Sequence, residues 1–150
     1  MAHALLLSKA GIIKRLASKM ASIFSDKWMN KLMEQWNSSP ELANELSIIS
    51  FNSTIAYGFD DEDKPRGVLV IENGKAISAT TFADQELNWD LRASKTNWKK
   101  WLSKPPGMMD LGMAYTSQQL KFKQGDYTTM IKDPRMAGPF IKSFIVMGRV

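Results

Sequence analysis

The sequence has no cysteine and a single histidine, His3. Without cysteine the protein forms no disulfide, iron–sulfur cluster or thiolate zinc site, and a cysteine nucleophile is excluded. A metal centre would need carboxylate ligands alone, so we expect no metal ion and no other cofactor. The absence of disulfides fits a reducing compartment, and we predict a cytoplasmic protein.

Long apolar runs are also missing from the sequence. No segment of about 20 residues is apolar throughout, so no transmembrane helix is predicted. The apolar segment 5–7 is too short for the core of a secretory signal, and Lys9 interrupts the apolar pattern after it.

Motifs of catalysis and nucleotide binding are absent as well. The chain has no phosphate-binding Gly-rich loop, dinucleotide glycine pattern, nucleophile elbow or His-Glu metal motif. We therefore predict that the protein is not an enzyme. The alternative is a catalytic carboxylate, Asp90, Asp110 or Asp126, acting in an apolar pocket.

The composition is that of a folded domain with a basic surface. Hydrophobic residues make up 44% and charged residues 23% of the 150 positions, which is typical of one globular domain with a buried core. The formal net charge of +5 favours an anionic partner such as nucleic acid, phospholipid head groups or an acidic protein.

The N-terminal segment predicts a basic amphipathic helix. Over residues 4–24 the apolar residues recur at steps of three and four, and the basic residues Lys9, Lys14, Arg15 and Lys19 lie mainly between them. This helix either packs on its own domain or contacts an anionic membrane peripherally through the four basic residues. We accordingly divide the chain into residues 1–25 and a second unit, residues 26–150.

The second unit alternates helix and strand patterns, which predicts an α+β fold. Asn73-Gly74 is a hairpin turn signal, and the segments before and after it predict an antiparallel meander. The predicted strands are 48–59, 67–72, 75–82, 87–92 and 119–123. In segment 87–92 large apolar residues alternate with Asn88, Asp90 and Arg92, which predicts that these three polar residues face solvent. The predicted helices begin after the caps Asp26, Ser94 and Asp126, cover 108–115 as a short buried helix, and end with a helix whose first turn holds Pro139.

The helix after Ser94 bears on nucleic-acid binding. Trp98, Trp101 and Leu102 share one side of it, and its lysines lie on the other. Indole rings that enter the core cannot stack on bases, so this pattern argues against a nucleic-acid partner.

The segment from Trp89 to Met147 holds three tryptophans, three phenylalanines and six methionines, but no histidine, cysteine or glutamate. Methionine side chains adapt to varied apolar shapes, so this composition favours a site for a hydrophobic ligand. The predicted lipid-binding residues are Trp89, Trp98, Trp101, Leu102, Met108, Met109, Met113, Met130, Phe140, Phe144 and Met147.

Four segments form a further pattern: the strand Trp89–Ser94, the helix from Trp98 to Leu102, the run Leu120–Lys123 and the pair Gly125-Asp126. Together they resemble the sterol carrier protein domain family, over roughly residues 45–147. The positions that match the family pattern are Asp90, Ser94, Trp98, Leu120, Lys121, Gly125 and Asp126.

The resemblance implies a five-stranded, mostly antiparallel sheet covered by helices that enclose an apolar tunnel. It also implies a ligand such as a sterol, a fatty acid, an acyl-CoA or an isoprenoid quinone precursor, bound without catalytic residues. The sequence thus predicts a lipid carrier that transfers or presents its ligand. The alternative is an accessory subunit that delivers a hydrophobic substrate to a partner enzyme.

Overall fold

The computed structural model describes Lys9 and residues 23–150. Lys9 is helical and exposed, whereas Lys14, Arg15, Lys19 and the rest of the predicted N-terminal helix lie outside the described residues. The division at residue 25 stays a prediction. The described elements are α1 (Asp26–Asn37), α2 (Pro40–Ile48), β1 (Ser53–Phe59), β2 (Gly67–Glu72), β3 (Lys75–Thr81), β4 (Trp89–Ala93), α3 (Lys95–Ser103), α4 (Met108–Thr116), β5 (Lys121–Gln124), α5 (Tyr127–Lys132) and α6 (Pro134–Met147).

The five strands form one sheet in the order β3-β2-β1-β4-β5. The first three strands are the predicted antiparallel meander, and its β2–β3 turn places Asn73 and Gly74 at φ angles of 49° and 83°. β4 then runs parallel to β1, and β5 pairs antiparallel with β4. The expected α+β fold with a mostly antiparallel sheet is confirmed.

The helices cover one face of this sheet. The core cluster takes alternate residues of each central strand, such as Ile55 and Tyr57 from β1 and Leu69 and Ile71 from β2. The α1 helix is tied to the β2–β3 turn, because Trp36 Nε1 donates a hydrogen bond to the Gly74 carbonyl at 3.0 Å. None of the described helices has both the length and the apolar character needed to cross a bilayer.

Two predicted boundaries near the start of this region are wrong. The cap of α1 is Ser25, not Asp26, because the Ser25 hydroxyl accepts the hydrogen bond from the Trp28 amide at 3.3 Å. Ile48 ends α2 instead of beginning β1. The sequence predicts a short helical turn over residues 41–46, and α2 continues it by two residues to Ile48, with Pro40 in its first turn.

The last helix begins earlier than predicted. Asp133 caps α6 by accepting from the Arg135 amide at 3.0 Å, and Pro134 occupies its first turn. Pro139 therefore lies inside the helix, where it lacks the amide that would donate to the preceding turn. Both Asp133-Pro134 and Gly138-Pro139 are typical of a helix start, and the helix begins at the first of them.

The prediction that the polar residues of β4 face solvent is also wrong, because Asp90 and Arg92 are both buried. Arg92 Nε donates to Asp90 Oδ1 at 2.6 Å, and Nη2 donates to Oδ2 at 3.0 Å. Arg92 also donates to the carbonyls of Phe59, Glu62 and Asp63. The pair holds the β1–β2 loop over the second face of the sheet, so both charges are compensated.

Helix α3 agrees with its prediction and α4 only in part. Ser94 caps α3, whose Trp98 and Trp101 are buried, while its three lysines and Lys104, which follows the helix, face solvent. In α4, by contrast, Leu111 and Ala114 are the buried residues. The expectation of a buried helix is wrong for three methionines: Met108, Met109 and Met113 are 48%, 78% and 65% exposed.

Candidate functional site

An apolar cavity of about 50 Å³ lies between the sheet and the C-terminal helix. Its wall combines residues from α1, α2, β1, β4, α5 and α6, together with Phe51 before β1. The lining residues are Trp36, Leu46, Phe51, Ile55, Tyr57, Trp89, Leu91, Met130, Met136, Pro139, Phe140 and Ser143.

The sheet supplies one wall of the cavity through strand register. Because β1 and β4 are parallel, Ile55 lies opposite Trp89 and Tyr57 opposite Leu91. Residues two apart on a strand share a face, so these four side chains all point towards the helices. The register thus places two strands' large side chains under α6.

Helix α6 supplies the opposite wall. Met136, Pro139, Phe140 and Ser143 follow steps of three and four and therefore form one stripe along the helix. The Ser143 hydroxyl donates to the Phe140 carbonyl at 2.5 Å. This polar group is satisfied within its own helix, so the stripe presents an essentially apolar surface to the cavity.

An open groove of about 460 Å³ adjoins the cavity. We call it the outer groove. The cavity and the outer groove share Phe51, Trp89, Met130 and Met136. The remaining residues of the outer groove are polar or small: Asn52, Ser53, Asn88, Gly125, Asp126, Thr129 and Asp133. An apolar interior therefore meets a polar entrance across four large side chains.

Trp89 is held at this junction by Gly125. The glycine has a φ of +105°, and a Cβ at this position would overlap the Trp89 indole. A larger residue would displace the ring, so glycine allows the indole to approach the backbone closely. Asp126 then caps α5 by accepting from the Thr129 amide at 3.0 Å, and Thr129 also lowers the pKa of this carboxyl.

Tyr57 is a buried tyrosine of the cavity wall. Its side chain is 2% exposed, and its ring stacks on Phe24 at 5.7 Å between centroids. Among the described residues, no group forms a hydrogen bond with its hydroxyl, and burial alone raises its pKa above the ordinary value.

The predicted lipid-binding residues fall into three groups. Trp89, Met130 and Phe140 line the cavity. Trp98, Trp101, Leu102, Phe144 and Met147 are buried but lie in the packed core outside the cavity wall. Met108, Met109 and Met113 are the exposed residues of α4.

Nine cavity residues were not predicted from the sequence. Four of them could have been found from sequence periodicity. Ile55 and Tyr57 lie two residues apart on β1, and Met136 and Ser143 lie seven residues apart on one side of α6. No sequence pattern indicates Trp36, Leu46 or Phe51 as cavity residues, because only the tertiary fold brings these parts of the chain to the cavity. The other two are Leu91 and Pro139.

The carboxylates considered as catalytic groups lie elsewhere. Asp90 pairs with Arg92 on the other face of the sheet, Asp110 is exposed on α4, and Asp126 caps α5 in the outer groove. Within the described part of the chain, no group of three or more acidic, histidine or cysteine residues could hold a metal ion.

Comparisons with known proteins give similarity in structure. No family model and no curated protein sequence matches the chain. Sterol carrier protein 2 superposes with a TM-score of 0.68 at 17% identity, over 85% of this chain and 98% of the other. A conserved hypothetical protein from Thermus thermophilus, described as a candidate sterol carrier protein, gives 0.61 at 16% identity, over 85% and 88%.

The UbiJ-SCP2 ubiquinone synthesis protein gives a TM-score of 0.53 at 12% identity, over 81% of this chain and 88% of the other. At these identities the likeness is one of fold. It agrees with the resemblance seen in the segments around Asp90, Ser94 and Gly125-Asp126. The chain has the fold of the sterol carrier protein domain.

Proposed function

We propose that the protein binds a hydrophobic lipid in the cavity between the sheet and α6 and transfers or presents it without catalysing a reaction. The observation that carries this proposal is that the apolar cavity adjoins the outer groove and shares four lining residues with it. An aliphatic ligand buried there gains roughly 25 cal/mol for each Å² of apolar surface removed from water.

The cavity must widen to admit such a ligand. Its volume of about 50 Å³ is well below the roughly 300 Å³ at which ligand pockets begin. Met130 and Met136 stand between the cavity and the outer groove, and unbranched methionine side chains change rotamer readily. We propose that their movement joins the two spaces into one tunnel.

A cavity-filling substitution tests the proposal. Ser143→Leu adds apolar bulk to the cavity wall and removes a hydroxyl that pairs only within its helix. We expect the variant to remain folded and to lose binding of a long-chain lipid, because the added side chain occupies the ligand's space. Ser103→Leu, at an exposed end of α3, is the control.

Native mass spectrometry measures the outcome. The wild type and Ser103→Leu are expected to carry a co-purified or added lipid, and Ser143→Leu to carry none. Equal lipid occupancy in all three proteins would place binding outside this cavity. A wild type that binds no fatty acid, sterol or quinone would overturn the function itself.

We further propose that Lys9, Lys14, Arg15 and Lys19 attach the protein peripherally to an anionic membrane, on the cytoplasmic side. Each basic residue contributes on the order of 1 kcal/mol near such a surface. Replacing all four by glutamine in the full chain should reduce flotation with phosphatidylserine vesicles at low salt. Unchanged flotation would contradict the membrane contact.

A second candidate function is delivery of a hydrophobic substrate to a partner enzyme. The exposed methionines of α4 favour it, because a solvent-facing apolar patch suits a protein interface. A stable complex that is lost in Met109→Asp and retained in Ile48→Asp, an equally exposed apolar site (79%) on α2, would support this function. Recovery of lipid without any protein complex would favour the stand-alone carrier.

A further inference from the structure

Helix α4 presents methionine side chains to solvent instead of to the core. Met108, Met109 and Met113 are all exposed, and we call these three residues the α4 patch. Residues two positions apart in an α-helix point about 200° apart around its axis. Met109 and Met113 therefore lie on the side of α4 opposite to the buried Leu111 and project away from the domain.

The surface beside the α4 patch is positively charged. An open groove of about 430 Å³ between α3 and α4 is lined by Met113, Lys100 and Lys104, and its acidic residue is Asp110. Both lysines are exposed, and neither forms an ion pair with a described residue. Over residues 94–117 the sequence holds four lysines and one acidic residue. The surroundings of the patch thus complement an anionic surface.

The size of the α4 patch favours a lipid surface over a large protein interface. A stable protein interface takes about 20–30 residues from each partner, whereas this patch has three apolar residues. An interfacial helix needs only a few apolar side chains that enter the head-group region and basic residues that contact anionic lipids. Lysine side chains suit this position, because their methylene groups can lie along apolar surface while the ammonium group stays in water.

We propose that α4 docks on an anionic membrane, with Met109 and Met113 in the head-group region and the two groove lysines on anionic lipids. This contact is separate from that of the N-terminal basic residues, and it does not depend on a ligand in the cavity. It brings the bilayer within one helix of the cavity. Tyr115 of α4 stacks on Tyr127 of α5 at 4.0 Å between ring centroids, and α5 carries Met130 of the cavity wall.

A fluorescent label measures whether α4 enters the bilayer. Because the chain has no cysteine, Met109→Cys and Ile48→Cys can each carry a single thiol-linked NBD group in the full chain. Ile48 lies on α2 and is equally exposed, so it is the matched control. On vesicles of phosphatidylserine and phosphatidylcholine, the emission of the label at position 109 should shift to the blue. Lipids brominated on their acyl chains should quench it, and the label at position 48 should not respond.

Three results would overturn the inference. A label at position 109 that stays in water while the protein binds the vesicles would show contact through another part of the chain. An equal response at both positions would show adsorption without a preferred face. Failure of the labelled proteins to bind the vesicles would exclude docking altogether. Cavity occupancy does not enter these readouts, so a protein that docks and carries no lipid would contradict only the proposed function.

The charge of the groove is tested in unlabelled protein. The double variant Lys100→Gln/Lys104→Gln should weaken partitioning onto the same vesicles at low salt by about fivefold for each lysine removed. Lys64→Gln/Lys75→Gln makes the same change in net charge at exposed positions of the β1–β2 loop and β3, and should weaken it less. Equal losses in the two double variants would overturn docking through α4, because net charge alone would then determine binding.

Discussion

Arg92 and Asp90 show what a single pair of residues contributes to this fold. Alternation of large and polar residues in β4 predicted that both would face solvent, yet the carbonyls of the β1–β2 loop cover them. The sequence pattern fails here because burial on the second face comes from a distant loop. A polar residue in an alternating strand can thus be buried when its partner lies two residues away.

Removing one member of this pair should be costly. Asp90→Ala leaves the Arg92 guanidinium buried without its carboxylate, and we expect a loss of about 3–5 kcal/mol in the free energy of unfolding. Asp84→Ala removes the carboxylate of the exposed Lys64–Asp84 pair, also at 3.0 Å, and should cost less than about 1 kcal/mol. Urea denaturation measures both, and similar losses would contradict a structural role for the buried pair.

At the scale of elements, the sequence predicts those turns, strand bounds and helix caps that depend only on residues adjacent in the chain. The Asn73-Gly74 turn, the bounds of β2 and the Ser94 and Asp126 caps were all predictable. The parallel pairing of β4 with β1 was not, because it depends on how the chain returns after residue 82. The starts of α1 and α6 were predicted too late. Asp26, next to the true cap Ser25, is also a favoured capping residue, and Pro139 also suits the first turn of a helix.

The Ser94 cap gives a prediction at this scale. Its hydroxyl accepts from the Asn97 amide at 3.0 Å, and α3 carries Trp98 into the core. Ser94→Ala should lower the free energy of unfolding by about 1 kcal/mol. Ser103→Ala, whose hydroxyl bonds only the Lys100 carbonyl near the end of α3, should change it by less than about 0.5 kcal/mol. Thermal unfolding of the two variants distinguishes them, and equal shifts would contradict the cap.

For the whole molecule, the sequence predicted the kind of site better than its residues. An apolar, methionine-rich region over a mostly antiparallel sheet was predictable from composition and strand patterns. Which methionines face inward was not, because it depends on how α4 and α6 dock. Met130 and Met136 line the cavity, whereas Met109 and Met113 face solvent.

This division of methionines allows the central claim to be measured directly. In the full chain labelled with carbon-13 at its methionine methyl groups, NMR titration with hexadecanol should shift the signals of Met130 and Met136. The signals of Met109 and Met113 should stay in place, since these side chains lie on the outer face of α4. Shifts confined to Met109 and Met113, or no shift at all, would contradict ligand binding between the sheet and α6.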